Sequence, residues 1–166
     1  MESKRLNFRE ARDSDAQFIK ALMNDPDWLR YIGDRNLDSI SKARVFIRQH
    51  LQNPATNNGL GMYVIELKPD LRTIGLAGLL HRDHMPDIDI GYALLPDARG
   101  FGYAEESIRF FVKHAFVQLL HSTLYAIVHK DNVRSISLIK RCGFHESRQP
   151  FTSNTEGALL YFLRKK

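Results

Sequence analysis

From Gly61 onward the apolar residues stop recurring at helical spacing, and three short β-rich runs follow in quick succession. The runs are "GMYVIEL" (61–67), "TIGLAGLLH" (73–81) and "IDIGYALL" (88–95), separated by "KPDLR" and "HMPD". Short Pro- and Asp-bearing turns between such runs leave room only for hairpins, so the centre of the chain reads as an antiparallel meander. A strongly amphipathic helix follows at once in "GYAEESIRFFVKHAFVQL", with Ala104, Ile108, Phe111, Val112 and Ala115 on its apolar face. A further strand, "TLYAIVH" (123–129), comes next. A helix between two strands of one sheet is a crossover, and a crossover makes the two strands parallel.

The flanks complete the order. "RLNFREAR" (5–12) alternates as a strand does. "DSDAQFIKALMND" predicts a helix capped at Asp13, with Ala16, Ile19 and Met23 on one face. Residues 26–37, which carry the only tryptophan, Trp28, read as a loop. "DSISKARVFIRQHLQN" predicts a second helix with Ile40, Ala43, Ile47 and Leu51 as its stripe. After the fifth strand come a helix, "NVRSISLIKRC", and two more strands, "GFHESRQPF" and "GALLYFLRKK". The expected order is β-α-α-β-β-β-α-β-α-β-β. No repeat or Pro/Gly-rich linker divides it, so residues 1–166 read as one α/β domain with a mixed, mostly antiparallel sheet flanked by helices.

Composition narrows the setting. With 43% hydrophobic and 26% charged residues the chain is an ordinary globular one and not disordered. The net charge of +5 favours anionic ligands. The basic residues are dispersed, without the block or aromatic motif of a nucleic-acid binder, so no nucleic-acid partner is expected. One cysteine, Cys142, excludes an intramolecular disulfide and reads as a buried thiol in a reducing compartment. "MESKRLNFRE" has no apolar core of a signal peptide, and no apolar run approaches a membrane span. A cytoplasmic protein with no membrane partner, monomer or homodimer, is expected.

The stretch "LLPDARGFGYAEES" (94–107) asks for a function. Two glycines flank Phe101 immediately before a helix. Unpaired N–H groups at a helix start carry partial positive charge. Glycines there allow a sharp turn and close approach of an anion, and successive N–H groups form a nest. Arg99 adds a full charge beside it. The P-loop is excluded because Tyr103 and Ala104 follow Gly102 where Lys and Ser/Thr are needed. The dinucleotide fingerprint is excluded because its third glycine falls on Glu105. A plain turn into a helix remains the alternative.

The second signal lies in "NVRSISLIKRCGF", where Asn132 follows a strand and Ser135 comes three residues later. Together the two segments resemble the GNAT superfamily of acetyl-CoA-dependent N-acetyltransferases. Arg99, Gly102 and Ala104 match its Arg-x-x-Gly-x-Ala pyrophosphate signature. The wider "IGYALLPDARGFGYAEES" resembles the ribosomal-protein N-terminal acetyltransferase-like branch, with Glu106 at that branch's glutamate. The resemblance implies a parallel strand pair that splays apart near Leu94 and His129, with a bulge as the means. It implies acetyl-CoA as cosubstrate and no metal. The pantetheine arm would pair with Leu94 and Leu95. The pyrophosphate would rest on Gly100, Phe101, Gly102, Tyr103 and Ala104, beside Arg99. Asn132 would bond the arm or its loop, or else serve as a helix cap.

The implied reaction is attack of an amine on a thioester. An ammonium has no free lone pair, so a base or a proton-carrying water is useful. Asp89, directly before "IGY", is the candidate base; an ordinary strand residue is its alternative. The oxyanion needs an N–H donor, for which the bulge near Leu94 is the candidate. The leaving thiolate wants an acid. Many members carry a tyrosine seven residues after the asparagine, and here that position is Ile139. Ser135 is the substitute, unless its hydroxyl only bonds within its helix. The group His81, Asp83, His84 and Asp87 fits no zinc spacing and reads as a solvated turn. Trp28 and Tyr31 line either an acceptor pocket or the packing between helices. The acceptor is a protein N-terminus or a small-molecule amine, and the rival function is a non-catalytic acyl-CoA sensor on the same fold.

Overall fold

The computed structural model describes residues 1–52, 59–147 and 158–166. Its strands are β1 (Leu6–Arg9), β2 (Gly61–Leu67), β3 (Thr73–Leu80), β4 (Asp89–Leu94), β5 (Thr123–His129), β6 (His145–Glu146) and β7 (Leu159–Lys165). Its helices are α1 (Ala16–Met23), α2 (Pro26–Tyr31), α3 (Ile40–Phe46), α4 (Tyr103–Lys113) and α5 (Val133–Arg141). The strands form one sheet in the order β1-β2-β3-β4-β5-β7-β6. Every neighbouring pair is antiparallel except β4 and β5. The meander and the crossover are therefore as the sequence predicts.

Alternation along the strands divides the apolar residues between two faces. One face carries Ile65, Leu79, Ile90, Leu94 and Ala126 against Ile108 and Phe111 of α4 and Ile139 of α5. The other carries Val64 and Leu76 against Ile19 and Leu22 of α1, Trp28 of α2 and Ala43 of α3. Cys142 is fully buried on the first face, and burial pushes its thiol pKa up, away from reactivity.

Three expectations need correction. Residues 26–37 are not all loop, because Pro26 opens the short helix α2. Asp25 caps it, accepting from the N–H of Asp27 at 3.1 Å and of Trp28 at 3.4 Å. An aspartate before a proline at the first helical position is a legible start signal, and "NDPDW" contains it. The bulge expected near Leu94 is absent: β3 and β4 pair without a shift from Gly75↔Leu94 to Leu80↔Asp89. The register shift lies between Ile65 and Glu66 of β2 instead. The first of the last two predicted strands is reduced to His145–Glu146 among the described residues, and the rest of that stretch lies outside them.

Candidate active site

The parallel pair is the origin of the site. β4 and β5 meet through one residue pair, Asp89↔Tyr125, with the Tyr125 N–H on the Ile88 carbonyl at 3.0 Å. Beyond that joint the two strands run on to Leu94 and His129 without a further paired residue. In an antiparallel ladder, alternate residues turn their backbone groups to opposite neighbours. The Leu95 N–H is bonded to the Ile74 carbonyl of the β3 side at 2.9 Å. Tyr92 and Leu94 therefore present their backbone groups to the gap, and Leu95, expected on the same edge, turns away from it. Strand divergence alone frees this edge, so no bulge is needed.

The turn after β4 delivers the chain to α4 through two glycines with positive φ, Gly100 at 87° and Gly102 at 80°. Among the described residues the N–H groups of Gly100, Phe101 and Gly102 have no protein acceptor. The first intrahelical donor after them is the Glu106 N–H, on the Gly102 carbonyl at 3.0 Å. The N–H groups from Gly100 to Glu105 thus form one unpaired run at the positive end of a helix dipole. The turn is pinned from the N-terminal segment. Arg5 Nη1 donates to the Phe101 carbonyl at 3.0 Å. Glu106 holds Arg5 in turn, accepting from its backbone N–H at 2.7 Å and from Nε at 2.6 Å, and takes the Ser3 hydroxyl at 2.7 Å as well. These hydrogen bonds and the Arg5 charge outweigh burial and lower the Glu106 pKa. The sequence could place Glu106 on α4, but its partners lie about a hundred residues away and left no local signal.

Arg99, expected to add a full charge beside the nest, turns its guanidinium to the end of β4 and to two carboxylates. Its Nε donates to the Leu94 carbonyl at 3.1 Å, Nη1 reaches Asp27 at 2.8 Å and Nη2 reaches Asp25 at 2.5 Å. Asp27 also takes Arg134 of α5 at 2.6 Å. The carboxylates come from the cap and the first turn of α2, a helix start that the reading of residues 26–37 as loop does not contain. Asp27 therefore links the β4–α4 turn to the first turn of α5 across the open end of the gap. Tyr31 of α2 lies beside His129, the last residue of β5, with ring centroids 5.7 Å apart. Trp28 packs in the second core at 8% exposure, so the packing reading holds for it.

Asp89 is 2% exposed and paired with Arg82 by two bonds, at 2.6 and 3.3 Å. Burial raises its pKa, and the Arg82 hydrogen bond and charge only partly offset this. It shares its face of β4 with Gly91 and Ala93, by the alternation of the strand. On the other face the Tyr92 hydroxyl meets the Ser135 hydroxyl at 2.6 Å, so β4 and α5 touch across the gap through two hydroxyls. Burial pushes the Tyr92 pKa up to about 12. Asn132 caps α5, its side-chain oxygen accepting from the Ser135 N–H at 3.1 Å. Tyr92 was missed in the sequence because a tyrosine in a strand signals packing before it signals a polar contact.

A run of unpaired N–H groups at the open end of a split parallel pair in an α/β fold is an arrangement suited to an anionic ligand. Residues 5–145 match the model of the acetyltransferase (GNAT) domain. The chain belongs to that family and is an acetyl-CoA-dependent N-acetyltransferase. It is 30% identical over 148 residues to the uncharacterized N-acetyltransferase YoaA of Bacillus subtilis (strain 168), covering 88% of this chain and 82% of that one. The fold is similar to that of the spermidine N-acetyltransferase from Vibrio cholerae in complex with CoA and spermine, with a TM-score of 0.77 at 19% identity over 98% of this chain and 96% of the other. It is also similar to the ribosomal-protein-S5-alanine acetyltransferase from Vibrio fischeri, with a TM-score of 0.78 at 15% identity over 99% and 95% of the two chains. Among the described residues no helix is long and apolar enough to cross a membrane.

Proposed function

We propose that the protein transfers the acetyl group of acetyl-CoA to a primary amine, either a protein N-terminus or a small-molecule amine, by direct attack on the thioester. The observation that carries this reading is the run of unpaired N–H groups from Gly100 to Glu105, set where β4 and β5 have parted. Those groups suit a pyrophosphate, and the open edge at Tyr92 suits an amide of pantetheine, the Leu94 carbonyl being held by Arg99. Arg99 serves the cofactor by fixing this turn to the end of β4 and to α2. Asn132 holds the start of α5 on the opposite side.

The chain's own groups divide the proton work. Asp89 takes the amine proton, directly or through a water, and its raised pKa suits a base working nearer neutrality than an exposed aspartate. The Leu94 N–H faces the gap and suits a developing oxyanion. As the carbon–sulfur bond breaks, its electron pair stays on sulfur, and the Ser135 hydroxyl stands on the α5 side to donate to that thiolate.

A panel of amines tests the reading: N-terminal peptides, polyamines and aminoglycosides, each incubated with acetyl-CoA while free thiol is measured. Acceptor-dependent thiol release is expected for one class. Tight acetyl-CoA binding with no release for any amine would instead mark a sensor.

A further inference from the structure

We propose that the exposed ring of Phe101 is the platform on which the adenine of bound coenzyme A stacks. The inference rests on the acetyl-CoA reading above and adds a part of the ligand that the backbone nest does not address.

Phe101 stands between the two positive-φ glycines, near the start of the unpaired N–H run. Its ring is nonetheless 62% exposed. A large apolar ring held in water at the centre of an anion-binding turn fits a ligand that is anionic and aromatic at once. Coenzyme A has that combination, since its pyrophosphate is joined through one ribose to a purine. Every purine offers a flat π-face, so stacking needs no hydrogen-bonding partner on the protein.

The ring is also prepared for this task. Tyr103 lies beside it, with centroids 5.9 Å apart and planes 28° from parallel. The Arg5 guanidinium carbon lies 4.6 Å from the Tyr103 ring centre, at cation–π distance. The same guanidinium donates to the Phe101 carbonyl, and Glu106 fixes it there. The backbone beneath the ring is therefore held before any ligand arrives, so little ordering remains to be paid on binding. Among the described residues no other exposed aromatic ring shares this turn.

The test compares two probes by calorimetry: coenzyme A, and 4′-phosphopantetheine, which lacks the adenosine portion. Phe101→Ala is expected to weaken coenzyme A about tenfold, the scale of one base-on-aromatic stack, while phosphopantetheine affinity stays within about twofold of the parent. Phe101→Trp keeps the platform and is expected to hold coenzyme A near the parent value. Unchanged coenzyme A affinity in Phe101→Ala would overturn the proposal. An equal loss for both probes would overturn it too, because the ring would then only shape the turn. A parent protein that bound neither probe would overturn the acetyl-CoA reading itself.

Discussion

Asp89 and Tyr125 are the one residue pair through which β4 and β5 meet in parallel, and the Asp89 side chain is almost wholly buried at that joint. The buried carboxylate is tied to Arg82, whose own side chain is 40% exposed. Substitution of Asp89 therefore strands no buried charge, and the joint can be probed in a folded protein.

The pH dependence of stability follows from the raised Asp89 pKa. Between the ordinary carboxylate range and that raised value, the folded chain holds its Asp89 proton more tightly than the unfolded chain does. Stability contributed by this group is thus fully present below the ordinary aspartate pKa and falls as pH rises through the window. Asp89→Asn lacks the titration. Urea midpoints across pH should show the parent losing ground to the variant as pH rises, then a constant difference above the window. A flat difference throughout would contradict the shift.

The same substitution tests the base. Asp89→Asn should lower kcat by about 10²- to 10⁴-fold at neutral pH and leave acetyl-CoA affinity close to the parent. The loss should shrink toward the acceptor's own pKa, where the free amine needs no base. A variant with the parent's neutral rate would return the role to water.

Gly102→Val addresses the nest. At φ 80° a β-branched residue is strained, by about 1–2 kcal/mol for an L-residue in the left-handed region. A Cβ there would meet only the far end of the Arg5 side chain, at 3.4 Å. The protein should stay folded, while the valine covers N–H groups a phosphate must reach. Coenzyme A affinity should fall well below that of the parent, and a folded variant with parental affinity would remove the pyrophosphate from this turn.

Most of the sheet order was legible because β2 to β5 are runs rich in apolar residues separated by short turns or by one amphipathic helix. The nest was legible because Gly100 and Gly102 stand in a fixed relation to the first turn of α4. What local pattern cannot carry is partnership between distant segments. Asp25 closes one predicted helical segment and Asp27 falls in a stretch that reads as loop, and nothing near them points to Arg99 or Arg134. Arg5 and Glu106 are equally silent about each other, and the Tyr92 hydroxyl finds Ser135 only once β4 and α5 are folded together. The bulge went wrong for a related reason. A split between strands can come from a bulge or from plain divergence, and both leave the same sequence alternation.

The Tyr92–Ser135 pair makes a double-substitution prediction. Removing either hydroxyl leaves the other without its partner at 2.6 Å, and because the pair is only partly buried the cost is about 1 kcal/mol, the scale of one net hydrogen bond. Tyr92→Phe with Ser135→Ala removes both, so the double variant should lose less stability than the two single losses added together. Denaturant unfolding of the four proteins measures the coupling, and simple additivity would mean that the two hydroxyls do not interact.

Arg99→Ala should act on two properties to different degrees. The guanidinium satisfies the Leu94 carbonyl, Asp27, and an Asp25 carboxylate that is only 6% exposed. Asp25 keeps its two α2 N–H donors in the variant but loses its charged partner. The protein should therefore lose stability, by about 1–3 kcal/mol on the scale of a buried polar group left short of a partner. Because the guanidinium is turned to α2, the nest keeps its own N–H groups, and coenzyme A affinity should fall less than in Gly102→Val. Whatever part of that smaller loss comes from removing a positive charge should fade at high salt, since a partly exposed charge is screened while the shape of the backbone is not. Thermal melts and calorimetry at two salt concentrations separate these effects. A variant that melts with the parent and yet loses coenzyme A as severely as Gly102→Val would move Arg99 from the wall of the site onto the phosphate.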